Sequence, residues 1–185
     1  MLELPQLLRR KLFYQGRKFA YEINRYRLPN KVEAELECIR HPGGALVVPV
    51  TASGDLILLR QYRFTIQRRI LEFPAGTIES GETALSTADR EVQEESGYKA
   101  GTIRQIGDIY LAPGYSDEIV TIFLATKLEK METPPLQDED EDIEVLTMTP
   151  IAVEQAILSG DITDSKTISA FMMVRHLVAV NNLIV

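Results

Sequence analysis

Three carboxylates and one arginine stand close together near the middle of the chain, at Arg90, Glu91, Glu94 and Glu95. On a helix, the glutamates are spaced i, i+3 and i+4, which brings their Cβ atoms to within about 5–6 Å, where like charges repel. Arg90 lies one turn before Glu94 and offsets part of this charge, but a single arginine does not neutralise three carboxylates. Hard oxygen ligands without a His or Cys set favour Mg²⁺, with Mn²⁺ as a possible substitute, over zinc. The spacing therefore predicts a divalent metal site on this helix.

The helix that must carry these residues is predicted within residues 71–98, LEFPAGTIESGETALSTADREVQEESGY. An apolar run ends in Pro-Ala-Gly, a polar loop follows, and the helix comes next. Leu85, Ala88 and Val92 recur at i, i+3 and i+7, and this periodicity predicts one apolar face that packs on a core. The glutamates fall on a different part of the helical wheel. Gly97 then ends the helix, since glycine readily adopts the conformation of a C-terminal cap.

This segment resembles the signature of the Nudix hydrolase family, Gly-x5-Glu-x7-Arg-Glu-U-x-Glu-Glu-x-Gly-U, in which U is a bulky aliphatic residue. The last position is occupied by Tyr98 instead, but that position packs in the family and does no chemistry. The resemblance implies an α/β (α+β mixed) fold, an α/β/α sandwich with a central mixed sheet. The matching residues are Gly76, Glu82, Arg90, Glu91, Val92, Glu94, Glu95 and Gly97.

The resemblance also implies which residues would carry the chemistry. Arg90 would join Glu82 in holding the loop and helix together, and Glu94 would bind metal or orient the metal ligands. An acidic run before the strand at Ile143 would supply Glu139 as the general base, with its register open by one or two residues. Taken alone, such a block of like charges is more typical of a solvated segment. The implied metal ligands are the backbone carbonyl of Ala75 and the side chains of Glu91, Glu95 and Glu141.

Four further residues are predicted to bind substrate. The guanidinium of Arg63 suits the oxygens of a diphosphate, and Gly76 is expected in a tight turn where the backbone approaches the ligand. Glu118 resembles a residue that lies near the metal and phosphates in one branch of the family. Glu72 is either an exposed strand residue or one that contacts substrate or a second subunit.

Pro113, downstream of the signature, resembles the proline that separates ADP-ribose pyrophosphatases from other Nudix proteins. The motifs HPGG, QYR and PAG are similar to the same branch, which includes nucleoside diphosphate sugar hydrolases. This resemblance implies Mg²⁺-dependent hydrolysis of ADP-ribose to AMP and ribose 5-phosphate. Two alternatives stay open, a hydrolase of GDP-mannose or another nucleoside diphosphate sugar, and a non-catalytic ADP-ribose sensor. The chain contains no Trp to stack on a base, so the nucleobase is not identified.

The chain is predicted to divide into an N-terminal β extension, residues 1–44, and a Nudix hydrolase domain, residues 45–185. Apolar and polar residues alternate around Tyr21 and again around Leu36, which indicates two or three antiparallel strands. A short ribbon of this kind is marginally stable alone. It either covers the edge of its own domain or, as the resemblance implies, builds a homodimer and contributes substrate contacts.

Composition limits the partners. A net charge of −7 argues against a nucleic-acid surface, and no apolar run reaches the roughly 20 residues that span a membrane. The single Cys38 excludes an intrachain disulfide, and the N-terminal residues lack the features of a signal peptide. A cytoplasmic location is the expectation.

Overall fold

The computed structural model describes residues 4–135 and 142–179 of the chain. By its backbone contacts the chain forms two compact units. The first consists of the chain before Gly44 together with Tyr110–Ile119, and the second contains the remainder.

The first unit is built on a three-stranded antiparallel sheet of β1 (Gln6–Gln15), β2 (Ala20–Arg27) and β3 (Glu33–Arg40), in that order across the sheet. The expected antiparallel ribbon is therefore confirmed, with three strands. Strand β1 lies at one edge and is exposed along nearly its whole length. Its large apolar side chains that face solvent are Leu7, Leu12, Phe13 and Tyr14.

After Gly43 the chain forms seven strands and three helices within the described residues, several of which anchor the acidic helix. They are β4 (Gly44–Pro49), β5 (Leu56–Arg63), β6 (Arg68–Glu72), β7 (Ala75–Thr77), α1 (Ala84–Ser96), β8 (Tyr98–Tyr110), β9 (Ile119–Lys130), β10 (Ile143–Met148), α2 (Pro150–Ser159) and α3 (Ser165–Ala179).

The predicted mixed sheet is confirmed by the order β7-β4-β9-β8, in which β4 runs parallel to β9 and antiparallel to β7. A second sheet has the order β10-β5-β6. Strand β4 is buried on both faces, as its unbroken apolar run predicts. Ala45 and Val47 of β4 pack with Ala88 and Val92 of α1 in one core cluster, which fixes α1 against the strand that leads to the site.

The buried face of α1 differs from the predicted one. Ala88 and Val92 are fully buried, but Leu85 is 51% exposed, so the prediction was wrong for Leu85, which lies in the first turn. The same buried side of the helix contains Glu91 and Glu95, and these glutamates were expected on a separate face. Residues i and i+3 are neighbours on a helix surface, so Glu91, three positions after Ala88, shares its buried side.

Candidate active site

The start and end of α1 are set by local sequence. Thr83 is the N-cap and exchanges hydrogen bonds with Ser86 in a capping box, and Gly97 ends the helix with a left-handed φ of 73°. The predicted C-terminal breaker is confirmed. These caps satisfy backbone groups that a helix end leaves unpaired, and they place the acidic residues at fixed points along one helix.

Arg90 clamps the helix to the loop before it. Its Nε donates to Glu82 Oε1 at 2.8 Å and its Nη2 donates to Glu82 Oε2 at 3.2 Å. Hydrogen bonding from Arg90 outweighs the effect of burial and, with bonds from Thr87 and the Glu79 backbone, lowers the pKa of Glu82 to about 2. This contact supports the positioning role expected of Glu82 and Arg90, which stays a prediction.

The lowered pKa of Glu82 predicts a pH-dependent contribution to stability. The pKa of an unperturbed glutamate is 4.5. As the pH falls, Glu82 therefore becomes protonated in the unfolded state before it does in the folded state. The contribution is full above about pH 4.5 and disappears as the pH falls toward 2. We expect Glu82→Gln to lower the free energy of unfolding at pH 7, and the difference from wild type to close across this window. Urea unfolding of both proteins from pH 7 to pH 2 measures it, and parallel curves would contradict the assignment.

Glu91 and Glu95 lie at the centre of the candidate site and are only 6% and 3% exposed. The Ala75 backbone N–H donates to Glu95 Oε2 at 2.8 Å, which ties this carboxylate to strand β7. Arg90 Nη1 lies 2.7 Å from Glu91 Oε1 and 3.0 Å from Glu94 Oε2. One guanidinium therefore contacts two of the three glutamates, as well as Glu82.

Gly76 plays a different part from the one predicted. The turn prediction is wrong, because Gly76 lies in β7 and pairs with Ala45 in the sheet. A Cβ at this position would fall 1.6 Å from Glu91 Oε1 and 2.2 Å from its carboxyl carbon. Only glycine leaves room for the Glu91 carboxylate beside the strand.

The Nudix signature implies a divalent metal at this point, and the donor set fits one. Two buried carboxylates and the Ala75 backbone are hard oxygen donors of the kind that Mg²⁺ and Mn²⁺ prefer. Gly76 leaves room for the Glu91 carboxylate, and Arg90 compensates part of its charge. Within residues 4–135 and 142–179, no group of three or more Asp, Glu, His or Cys side chains converges as a metal site. The predicted set has two such side chains there, and the third, Glu141, falls outside the described residues together with Glu139.

Glu72 and Arg63 are brought together in a way that the sequence did not predict. Glu72 is 1% exposed, so the interpretation as an exposed strand residue was wrong. Its Oε2 accepts from Arg63 Nε at 2.7 Å and its Oε1 accepts from Arg63 Nη2 at 3.2 Å. Lys166 of α3 also donates to Oε1. Burial would lower the pKa of Arg63, but the bonds to Glu72 outweigh it and raise the pKa.

Glu118 lies in the first unit, beside the HPGG motif. Its Oε1 is 3.6 Å from His41 Nδ1, and that nitrogen accepts a hydrogen bond from the Gly43 backbone at 3.1 Å. Since Nδ1 serves as an acceptor, this imidazole does not donate from Nδ1 to Glu118. The neighbouring Asp117 accepts from the His41 backbone at 2.9 Å and from Arg40 Nη1 at 3.0 Å. Glu118 is thus held in a polar loop, and its substrate role stays a prediction.

Sequence reasoning missed Lys166. The residue sits in the first turn of α3 behind Asp164, whose Oδ2 accepts from the Thr167 backbone at 2.9 Å. Nothing in the local pattern connects Lys166 to Glu72, 94 positions earlier in the chain; only the fold joins them.

Comparison with known proteins identifies the class. The model of the NUDIX domain matches residues 40–171, and the chain belongs to the Nudix family. It is 37% identical to the ADP-ribose pyrophosphatase of Bacillus subtilis, covering 83% of both chains. It is also 34% identical to the methanol dehydrogenase activator of Bacillus methanolicus, covering 85% of both.

A solved structure shows the same fold. The crystal structure of an ADP compounds hydrolase superposes with a TM-score of 0.83 at 24% identity, covering 100% of this chain and 99% of the other. The predicted fold class is confirmed by this likeness and by the mixed sheet. No helix in the described part of the chain is long and apolar enough to cross a membrane.

Proposed function

We propose that this protein hydrolyses the diphosphate bond of ADP-ribose, with Mg²⁺, to give AMP and ribose 5-phosphate. The observation that carries the proposal is the pair of buried carboxylates, Glu91 and Glu95, held against the Ala75-Gly76 backbone. The 37% identity to an ADP-ribose pyrophosphatase over most of the chain supports the choice of substrate.

The proposed site residues have three roles: binding the metal, positioning the metal ligands, and transferring a proton. Glu91, Glu95 and the Ala75 carbonyl, with Glu141, would hold Mg²⁺ or Mn²⁺, which offsets the charge of the diphosphate and activates water when it is bound. Arg90 keeps Glu91 and Glu94 in place. We propose Glu139 as the general base that takes the proton from the attacking water.

Substrate binding is proposed for Arg63, Glu72, Gly76 and Glu118. Arg63 donates hydrogen bonds to Glu72 from Nε and Nη2. Nη1 is the nitrogen of this guanidinium that does not bond to Glu72. A guanidinium held at one edge presents the other in a fixed orientation, which suits phosphate oxygens.

Product analysis tests the proposal. The protein is incubated with Mg²⁺ and, separately, ADP-ribose, GDP-mannose, UDP-glucose or a dinucleoside polyphosphate, and the products are separated by chromatography. Conversion of ADP-ribose to AMP with little turnover of the others is the expected result. Preference for GDP-mannose would replace the substrate and keep the chemistry. Binding of ADP-ribose without any turnover would support the sensor alternative and overturn the enzyme.

We also propose that residues 1–44 form a homodimer through their strands and contribute substrate contacts, and that residues 45–185 form the hydrolase domain. Strand β1 exposes large apolar side chains at a sheet edge, and such an edge readily pairs with a second chain. The net charge of −7 and the single cysteine support the proposal of a cytoplasmic protein without a nucleic-acid partner, and we propose no membrane partner.

The dimer predicts a measurable mass. Light scattering should give about 42 kDa, twice the 20.8 kDa of one chain. Phe13→Glu places a charge on the exposed strand and should shift the mass toward the monomer, because burying an unpaired charge is costly. Leu158→Glu is the control, since Leu158 is also exposed but lies on α2. A wild-type monomer, or equal masses for the two variants, would contradict the proposed interface.

A further inference from the structure

A buried ion cluster joins strands β5 and β6 to the start of α3. The Glu72 carboxylate accepts hydrogen bonds from both Arg63 and Lys166, which share its Oε1, and Lys166 Nζ is also 2.9 Å from Asp164 Oδ1. The cluster therefore contains two cations and two carboxylates. The Arg63 side chain is 37% exposed and that of Lys166 is 15% exposed, so Arg63 is the cation that an anion in solvent can reach.

The position of Lys166 is fixed by the backbone around it. Thr167 is fully buried and its Oγ1 accepts from the Phe73 backbone N–H at 3.0 Å. Its own N–H donates to Asp164. The first bond attaches the first turn of α3 to Phe73, directly after Glu72 at the end of β6, and the second caps the helix, so the Lys166 ammonium is held against the Glu72 carboxylate.

The charges in the cluster determine how strongly Arg63 attracts a phosphate. If Arg63 were the only cation at Glu72, the pair would be neutral and its attraction for a diphosphate would largely cancel. Lys166 supplies a second positive charge to the same carboxylate. The Asp164 carboxylate compensates part of the Lys166 charge. Asp164 also caps α3, where the helix N-terminus stabilises a negative group. With two cations and two carboxylates the cluster is neutral, whereas without Lys166 it would carry a net charge of −1, which would repel an anion at the accessible Arg63 guanidinium.

We propose that Lys166 is a positioning residue that acts through Glu72 and sets the positive charge with which Arg63 attracts an anionic substrate. This inference rests on the proposed function, because it takes the diphosphate of a nucleoside diphosphate sugar as the anion. Lys166 itself does not touch the substrate.

Steady-state kinetics on Lys166→Met tests the inference. The variant keeps the length of the side chain and removes its charge. We expect KM for ADP-ribose to rise about tenfold, the effect of losing one partly screened charge interaction, while kcat changes less than about twofold. Lys166→Arg should restore KM. Lys130→Met, at an exposed lysine on β9, is the matched control and should leave both constants unchanged.

A double variant separates positioning from simple loss of structure. In Glu72→Gln, the carboxylate that Lys166 compensates is neutral, so the double variant with Lys166→Met has the same neutral cluster as the wild type and should have a KM near the wild-type value. This comparison also serves if Lys166→Met alone folds poorly, because the double variant contains no unbalanced charge at Glu72. A KM in the double variant about tenfold above the wild-type value, or a fall in kcat with unchanged KM in Lys166→Met, would overturn the inference. Absence of turnover by the wild type would instead overturn the proposed function.

Discussion

Replacing Glu91 and Glu95 together by glutamine is expected to lower kcat for ADP-ribose by a factor of about 10³ or more. Glutamine keeps the size of each side chain and removes the charge that a divalent cation requires. The two residues are buried against the core, and the neutral amides cost less to desolvate than carboxylates. The fold should therefore persist while turnover is lost.

Thermal unfolding with and without Mg²⁺ gives a readout independent of turnover. Millimolar Mg²⁺ should raise the Tm of the wild type, because a ligand that binds the folded state stabilises it, and should leave the double variant unchanged. Glu129→Gln is the control, since Glu129 lies in an exposed position on β9 and should preserve both activity and the Mg²⁺ response. Retained activity in the double variant would contradict the assignment of these carboxylates to the metal.

Replacing Gly76 by alanine is expected to be nearly as damaging, although it adds one methyl group. The new Cβ would overlap the Glu91 carboxylate, with 1.6 Å to Oε1, so either the carboxylate or strand β7 must move. Displacement of a site group by about 1 Å can cost about 10²-fold in rate, and the movement required here is larger. We expect kcat to fall by about 10²-fold or more, and the Mg²⁺-dependent rise in Tm to shrink.

Gly114→Ala provides the matched control for stability, because a Cβ at Gly114 meets no atom within 4 Å. Its Tm and its Mg²⁺ response should equal those of the wild type. If Gly76→Ala also kept the wild-type activity and Mg²⁺ response, displacement of the Glu91 carboxylate would have no effect. That result would contradict its assignment as a metal ligand.

The local parts of the site could be predicted from the sequence, since they depend on neighbours a few positions apart. The spacing of Arg90, Glu91, Glu94 and Glu95 defines their place on one helix whatever surrounds it. The Gly97 cap is similarly local and is confirmed. The mixed sheet and the family were also predicted, and both are confirmed by the fold and the comparisons. The roles of individual site residues stay predictions.

The tertiary structure determines which residues of the helix face the core, and which residues distant in the chain they contact. Periodicity alone placed Leu85 inside and the glutamates apart, but packing against β4 instead buries Glu91 and Glu95 beside Ala88. The requirement for glycine at position 76 comes from the Glu91 carboxylate and not from a turn.

The available chemistry can therefore be predicted from the order of the residues, as a set of candidate oxygen ligands on a capped helix next to a Pro-Ala-Gly segment. The way in which the charges of those groups are compensated, and the direction in which the groups point, depend on the folded chain. Glu72 and Lys166 are far apart in the chain, and Glu72 is nearly inaccessible to solvent. Their pairing arises because a buried carboxylate must find cations inside the fold, and no local pattern records where those cations come from.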